Sequence, residues 1–179
     1  MEIRELTGIY TEDLRVKALS AQIEEGSGKK FRLNGLTASA QAVIVSSVFD
    51  AIKGVHLIVH DDRESAAYFF NDLENLLGEQ NADFFRKNVL FYPSSFTRSG
   101  DFSQTDNTSV LLRTEALNKI QSGRKGLLVV SWPEAISEKV VKKHFFDKNT
   151  LRIKIGDKLS IDLFLIFSPS IILNEWISL

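Results

Sequence analysis

Residues 34–42 read NGLTASAQA, between the short apolar run FRL at 31–33 and the β-branched stretch VIVSSVF at 43–49. A turn glycine followed by small residues and then a helical segment is where an α/β protein places a phosphate loop, so this stretch decides between a nucleotide-binding fold and its alternatives. Working outward, FRLNG reads as a strand ending in the loop and Gln41 to Ile52 as the helix after it. HLIVH (56–60) reads as a second strand, NVLFY (88–92) as a third stopped by Pro93, and GLLVV (126–130) as a fourth. Helical periodicity separates them. Asp61-Asp62-Arg63-Glu64 supplies a cap, and Ala66, Phe69, Phe70, Leu73, Leu76 and Leu77 form one apolar stripe up to Gly78. A further helix runs through Leu112, Ala116, Leu117 and Ile120 to Gly123, and another from Glu12 to Glu24. Ser131-Trp132-Pro133-Glu134 opens a helix expected to run towards Phe145, and the segment from Ser94 to Asn107 reads as an exposed loop. Strands alternating with helices imply an α/β fold with a mainly parallel sheet.

The periodicity changes after that last helix. Leu151-Arg152-Ile153-Lys154-Ile155 alternates apolar and basic residues, as a half-solvated antiparallel strand does. The expected organisation is therefore an α/β domain over 1–149, followed at 150–179 by the start of a second domain with an atypical tail, FLIFSPSIILNEWISL.

The 179 residues include 44% hydrophobic and 25% charged side chains, a globular composition. A net charge of -1, from 22 basic and 23 acidic residues, gives no long-range attraction to a polyanion, so nucleic acid contact is expected only through local groups. Those are Arg98, Arg124, Lys125, Lys142 and Lys143. Absence of cysteine excludes disulfides, thiolate nucleophiles and cysteine metal sites. The start, MEIRELTGIYTEDLR, lacks the basic-then-apolar build of a secretory signal, and apolar runs are too short to span a bilayer, which implies a cytoplasmic protein without membrane contact.

A working phosphate loop is G-x-x-x-x-G-K-[ST]: backbone N–H groups cradle the phosphates, the lysine reaches the β and γ groups, and the hydroxyl holds magnesium. Aligned on Gly35, with Thr37 and Ser39 inside the bend, this chain has Ala40 at the second glycine, Gln41 at the lysine and Ala42 at the hydroxyl. Gln41 brings no charge to a triphosphate and Ala42 no oxygen to a metal, so hydrolysis and a nucleotide cofactor are not expected. Free N–H groups at a helix start leave a weak anion site open. Other groups add little catalytic potential. Asp61 and Asp62 read as helix caps, His56 and His60 would stand about 13 Å apart on an extended strand, and Ser39 and Ser131 have no histidine and acid in a triad arrangement.

The order of these features resembles the amino-terminal region of the bacterial transcription-repair coupling factor, the translocase also called mutation frequency decline protein. Its first unit is similar to the first domain of the excision-repair protein UvrB, with a loop like GLTGSA before a non-lysine residue. Here that text is Gly35-Leu36-Thr37-Ala38-Ser39-Ala40. LIVHDDRESAAYFFNDLENLL resembles the family's strand, turn and helix, VLFYPSSF its "hlFPxxE" stretch, Arg113 an arginine at the start of the next helix, and LLVVSWPEAISEKV its "hVVTTPEALhxKV" segment. LRIKIGDKLSIDL is similar to the entrance to the second domain, and the likeness covers roughly 30–162. In place of the family's "lPYE" group the chain has Ser94-Ser95-Phe96-Thr97-Arg98-Ser99, without the glutamate.

The resemblance implies a RecA-like, three-layer α/β domain with a degenerate phosphate loop, and a non-catalytic scaffold that supports recruitment of UvrA and restrains the motor of a longer factor. RNA polymerase and DNA would be engaged through regions this chain does not carry, and the chain would be a truncated representative. Two alternatives stay open: a fragment of an active P-loop ATPase or helicase, and an unrelated ligand- or nucleotide-binding α/β domain with its site at the strand ends near Gly35, Asp61, Asp62, Pro93 and Trp132.

Overall fold

The computed structural model describes residues 3–26, 28–98 and 101–140. Two helices, α1 (Ile3–Glu12) and α2 (Leu14–Glu24), precede α3 (Ala40–Ala51), β1 (Val55–Val59), α4 (Arg63–Leu76) and β2 (Val89–Phe91). Then come β3 (Phe96–Arg98), β4 (Asp101–Thr105), α5 (Asn107–Gln121), β5 (Leu127–Ser131) and α6 (Pro133–Ser137). The sheet is parallel, in the order β1-β5-β2, with Leu57 opposite Val129 and Val129 opposite Leu90. The fold is α/β.

Its centre is β5, buried at every position, as the unbroken apolar run LLVV requires of a strand covered on both faces. Alternation along β5 divides the core. Leu128 and Val130 pack with Ala42 and Phe49 of α3, Ala66, Phe69 and Leu73 of α4, and Trp132 and Ala135. Leu127 and Val129 face the other way, onto Leu90 and Ala116 of α5. The middle of α3 is enclosed on most sides because α1 and α2 also pack on it. Its buried Ser46 and Ser47 satisfy their hydroxyls by donating to Val43 O, so neither is left unpaired.

Aspartate caps set the starts of α2, α4 and α5. Asp13 interrupts the predicted 12–24 helix with an extended backbone (ψ 129°) and its carboxylate accepts from Arg15 N–H, making two helices where periodicity gave one. The Arg15 side chain bonds the same carboxylate and holds the Asp13 pKa at about 2. Asp62 caps α4 and Asp106 caps α5 by the same device.

Three expectations are corrected. FRLNG is not a strand: residues 31–34 are irregular, and Phe31 and Leu33 are exposed, because a run with two apolar residues needs a strand beside it and has α2 and α3 as neighbours instead. Part of the predicted exposed loop is an antiparallel pair, β3 with β4, in which Phe96 faces Thr105. The helix after Pro133 stops at Ser137 instead of running on, because Glu138 is extended (ψ 132°) and its carboxylate is drawn away to Ser94 and Ser95. The predicted boundary at 149/150 and the strand at 151–155 lie outside the described residues. Among the described residues no helix is long and apolar enough to cross a membrane.

Candidate functional site

Residues 35–42 form a tight connection into α3. Gly35 (φ 79°) and Ala38 (φ 45°) both take left-handed backbone conformations, the first free of penalty and the second strained by its Cβ. The turn folds onto itself: Ala40 N–H donates to Thr37 O (3.1 Å), Gln41 N–H to Ala38 O (3.4 Å) and Val43 N–H to Ser39 O (3.1 Å). Two amides at the helix start that would otherwise face an anion already have partners within the loop. Ser39 occupies the cap position without a side-chain capping bond. Gln41 is exposed and its Nε2 donates to Leu36 O at 3.4 Å. Ala42 is fully buried in the core under α3, so a hydroxyl there could not reach a metal, whereas Ala40 and Thr37 are exposed.

The other strand-end candidates separate into two kinds. Asp61 and Asp62 are exposed after β1. The Asp62 carboxylate accepts from Ser65 N–H (2.8 Å) and Ser65 Oγ (3.2 Å), which lowers its pKa. Pro93 and Trp132 are buried, and the Trp132 ring lies 5.6 Å from that of Phe91. The four therefore do not line one open surface: packing has used two of them. Of the basic candidates, Arg124 is committed to internal contacts with Arg86 O (3.0 Å), Asn88 Oδ1 (2.7 Å) and Phe85 O, holding residues 85–88 against the turn before β5. Lys125 is exposed, Arg98 lies in β3, and Lys142 and Lys143 are outside the described residues.

Compared with protein-family models, curated proteins and solved structures, the chain matches none.

The best-built polar constellation sits instead where β2 and β5 end. Arg113, on the inner face of α5, is buried with its guanidinium 4.2 Å from the Tyr92 ring. Its Nη1 donates to Pro93 O (2.6 Å) and Ala135 O (2.9 Å), and Nε lies 3.6 Å from Glu138 Oε1. Glu138 Oε2 accepts from Ser95 N–H (2.8 Å) and Ser94 Oγ (3.2 Å). Burial alone would raise the Glu138 carboxyl; the Ser95 and Ser94 hydrogen bonds and the Arg113 charge outweigh it and hold the pKa below its ordinary value. Ser131 Oγ donates to Tyr92 O at 2.7 Å in the same region, which gives that serine a structural bond instead of a nucleophile's setting. Sequence reading reached Arg113 only through the family likeness and missed Glu138, whose partners lie 25 to 44 residues away with no local spacing signal.

His56 and His60 pack within the fold. His56 Nε2 is 2.9 Å from Ile52 O, and burial against Phe69 depresses the His60 pKa. No group of three or more His, Asp or Glu side chains that could hold a metal occurs among the described residues. Cavities of about 280 Å³, beside Val16, Leu19, Arg32 and Ile44, and of about 190 Å³, beside Phe70, Phe84 and Leu112, are not lined by Trp132 or Asp61.

Proposed function

We propose that the chain is a non-catalytic scaffold module of a transcription-repair coupling factor: a RecA-like α/β unit whose phosphate loop has become a structural turn, serving UvrA recruitment and motor restraint in a longer protein. One observation carries the reading. In the loop, Gln41 folds back to Leu36 O, the Ala40 and Gln41 amides bond to loop carbonyls, and Ala42 is buried, so the lysine, cradle and hydroxyl functions are all replaced by internal contacts. The alternation of parallel strands and helices supports the same reading.

Surface-binding measurements with purified UvrA test it. The chain alone should bind weakly, with a dissociation constant above about 10 μM, and a version extended through a second UvrB-like domain should bind at least about tenfold tighter. Equal affinity for the two, or no binding by either, overturns the reading. Calorimetric titration with ATP and magnesium should give no dissociation constant below about 10 μM.

A further inference from the structure

The helices on the two faces of the sheet both reach its β2 edge. There α4 brings Phe70 and Glu74, four residues apart on one side of the helix, and α5 brings Leu112 and Glu115. With Phe84 and Phe91 they line the cavity of about 190 Å³. The Phe70 and Phe91 rings, 5.2 Å apart, form an apolar wall with Leu112. The opposite character comes from two ion pairs, Glu74 with Lys87 and Glu115 with Lys119, and no side chain of the four is more than 18% exposed. Lys119 is fully used: besides Glu115 (3.1 Å) it donates to Phe84 O (3.2 Å) and Lys87 O (3.0 Å), three partners for three protons. The other three charges are not. Among the described residues the Glu74 and Lys87 side chains bond only each other, and that of Glu115 meets only Lys119. One oxygen of each carboxylate and two Lys87 protons thus have no protein partner, although buried charges ordinarily gather several hydrogen bonds.

We infer that this cavity binds a free α-amino acid with a branched apolar side chain. Its ammonium bonds the open oxygens of Glu74 and Glu115, its carboxylate bonds Lys87, and its side chain lies against Phe70, Phe91 and Leu112. Charge decides the class. The two carboxylates and two lysines sum to zero, so a ligand with a net charge would leave that charge uncompensated in a largely buried space, whereas a zwitterion brings none. Spacing decides the kind of zwitterion: the Glu74 carboxylate and the Lys87 ammonium are in contact, so the two ligand charges that meet them must also be close, as they are on one α-carbon. Size agrees, since the cavity of about 190 Å³ equals about six waters at about 30 Å³ each, room for a molecule the size of leucine.

Titration of the whole chain with L-leucine, followed by amide NMR shifts, reads the binding directly. Saturable shifts are expected at Phe84, Lys87, Leu112 and Glu115, with a dissociation constant below about 1 mM. Isopentylamine, which lacks the carboxylate, and isocaproate, which lacks the ammonium, should each bind at least about tenfold more weakly. Lys87→Met should abolish the preference for leucine over isopentylamine, a change of selectivity that loss of stability alone cannot produce. The inference is overturned by the absence of saturable shifts up to about 10 mM leucine, which would leave water as the occupant, or by shifts confined to other parts of the chain. It is equally overturned if either analogue binds as tightly as leucine, or if Lys87→Met keeps the preference. Should that variant fail to fold, the two analogues on the unaltered chain decide.

Discussion

Replacing Arg113 with methionine keeps much of the side-chain volume and removes the guanidinium that ties α5 to Pro93, after β2, and to Ala135 of α6. Three losses are involved: donation from Nη1 to two carbonyls (2.6 and 2.9 Å), the ion pair with Glu138 (3.6 Å), and the stack on Tyr92. Each charge-assisted hydrogen bond contributes about 1.5–3 kcal/mol, and breaking a buried pair by removing one partner costs about 3–5 kcal/mol because the other charge is left without compensation. These overlap, since they describe the same group, so the whole substitution should cost about 3–5 kcal/mol. Arg113→Lys should recover only part of this, because a point charge cannot serve both carbonyls and Glu138 with one planar fork. Urea unfolding, followed by circular dichroism and tryptophan fluorescence, reads the change, and a cycle with Glu138→Gln isolates the coupling. The acid limb adds a second check. The folded Glu138 pKa lies below its unfolded value, so its contribution is present above the unfolded value and is lost as pH falls through the folded one; Glu138→Gln should flatten that part of the profile. A loss under about 1 kcal/mol for Arg113→Met, or a coupling near zero, would refute the account of the Arg113–Glu138 pair.

Ala42→Leu should cost about 1–3 kcal/mol by overpacking the α3 core, whereas Ala40→Leu, on the exposed side, should stay within about 0.5 kcal/mol; similar denaturation midpoint shifts for the two would contradict the helix register. Ala38→Gly should be neutral or stabilising by up to about 1 kcal/mol, since relief of the left-handed alanine opposes the added unfolded-state freedom, and a clear fall in melting temperature would count against the strained turn. Burial holds the His60 pKa below 6.5, so stability should decline as pH falls through that value and protonation of the unfolded chain gains; His60→Phe should flatten this limb, and an unchanged pH profile would oppose it.

Local chemistry was legible wherever it was self-contained. Apolar runs marked β1, β2 and β5, and the stripe from Ala66 to Leu77 marked α4. Each depends on neighbours within a few residues, which sequence spacing records directly. The tertiary structure alone decided the rest, for one reason: those outcomes depend on which distant group arrives at a place. FRL has strand propensity but no strand beside it, whereas the short segments around Phe96 and Thr105 have each other. Trp132 and Pro93 follow strands, as ligand-contacting residues often do, yet converging elements bury both, and the Phe85 and Arg86 carbonyls capture Arg124. Glu138 ends α6 because Ser95 and Arg113, far away in the chain, offer its carboxylate more than another helical turn would. Propensity and pattern are properties of a segment; burial, pairing and charge compensation are properties of the contacts that the folded chain makes.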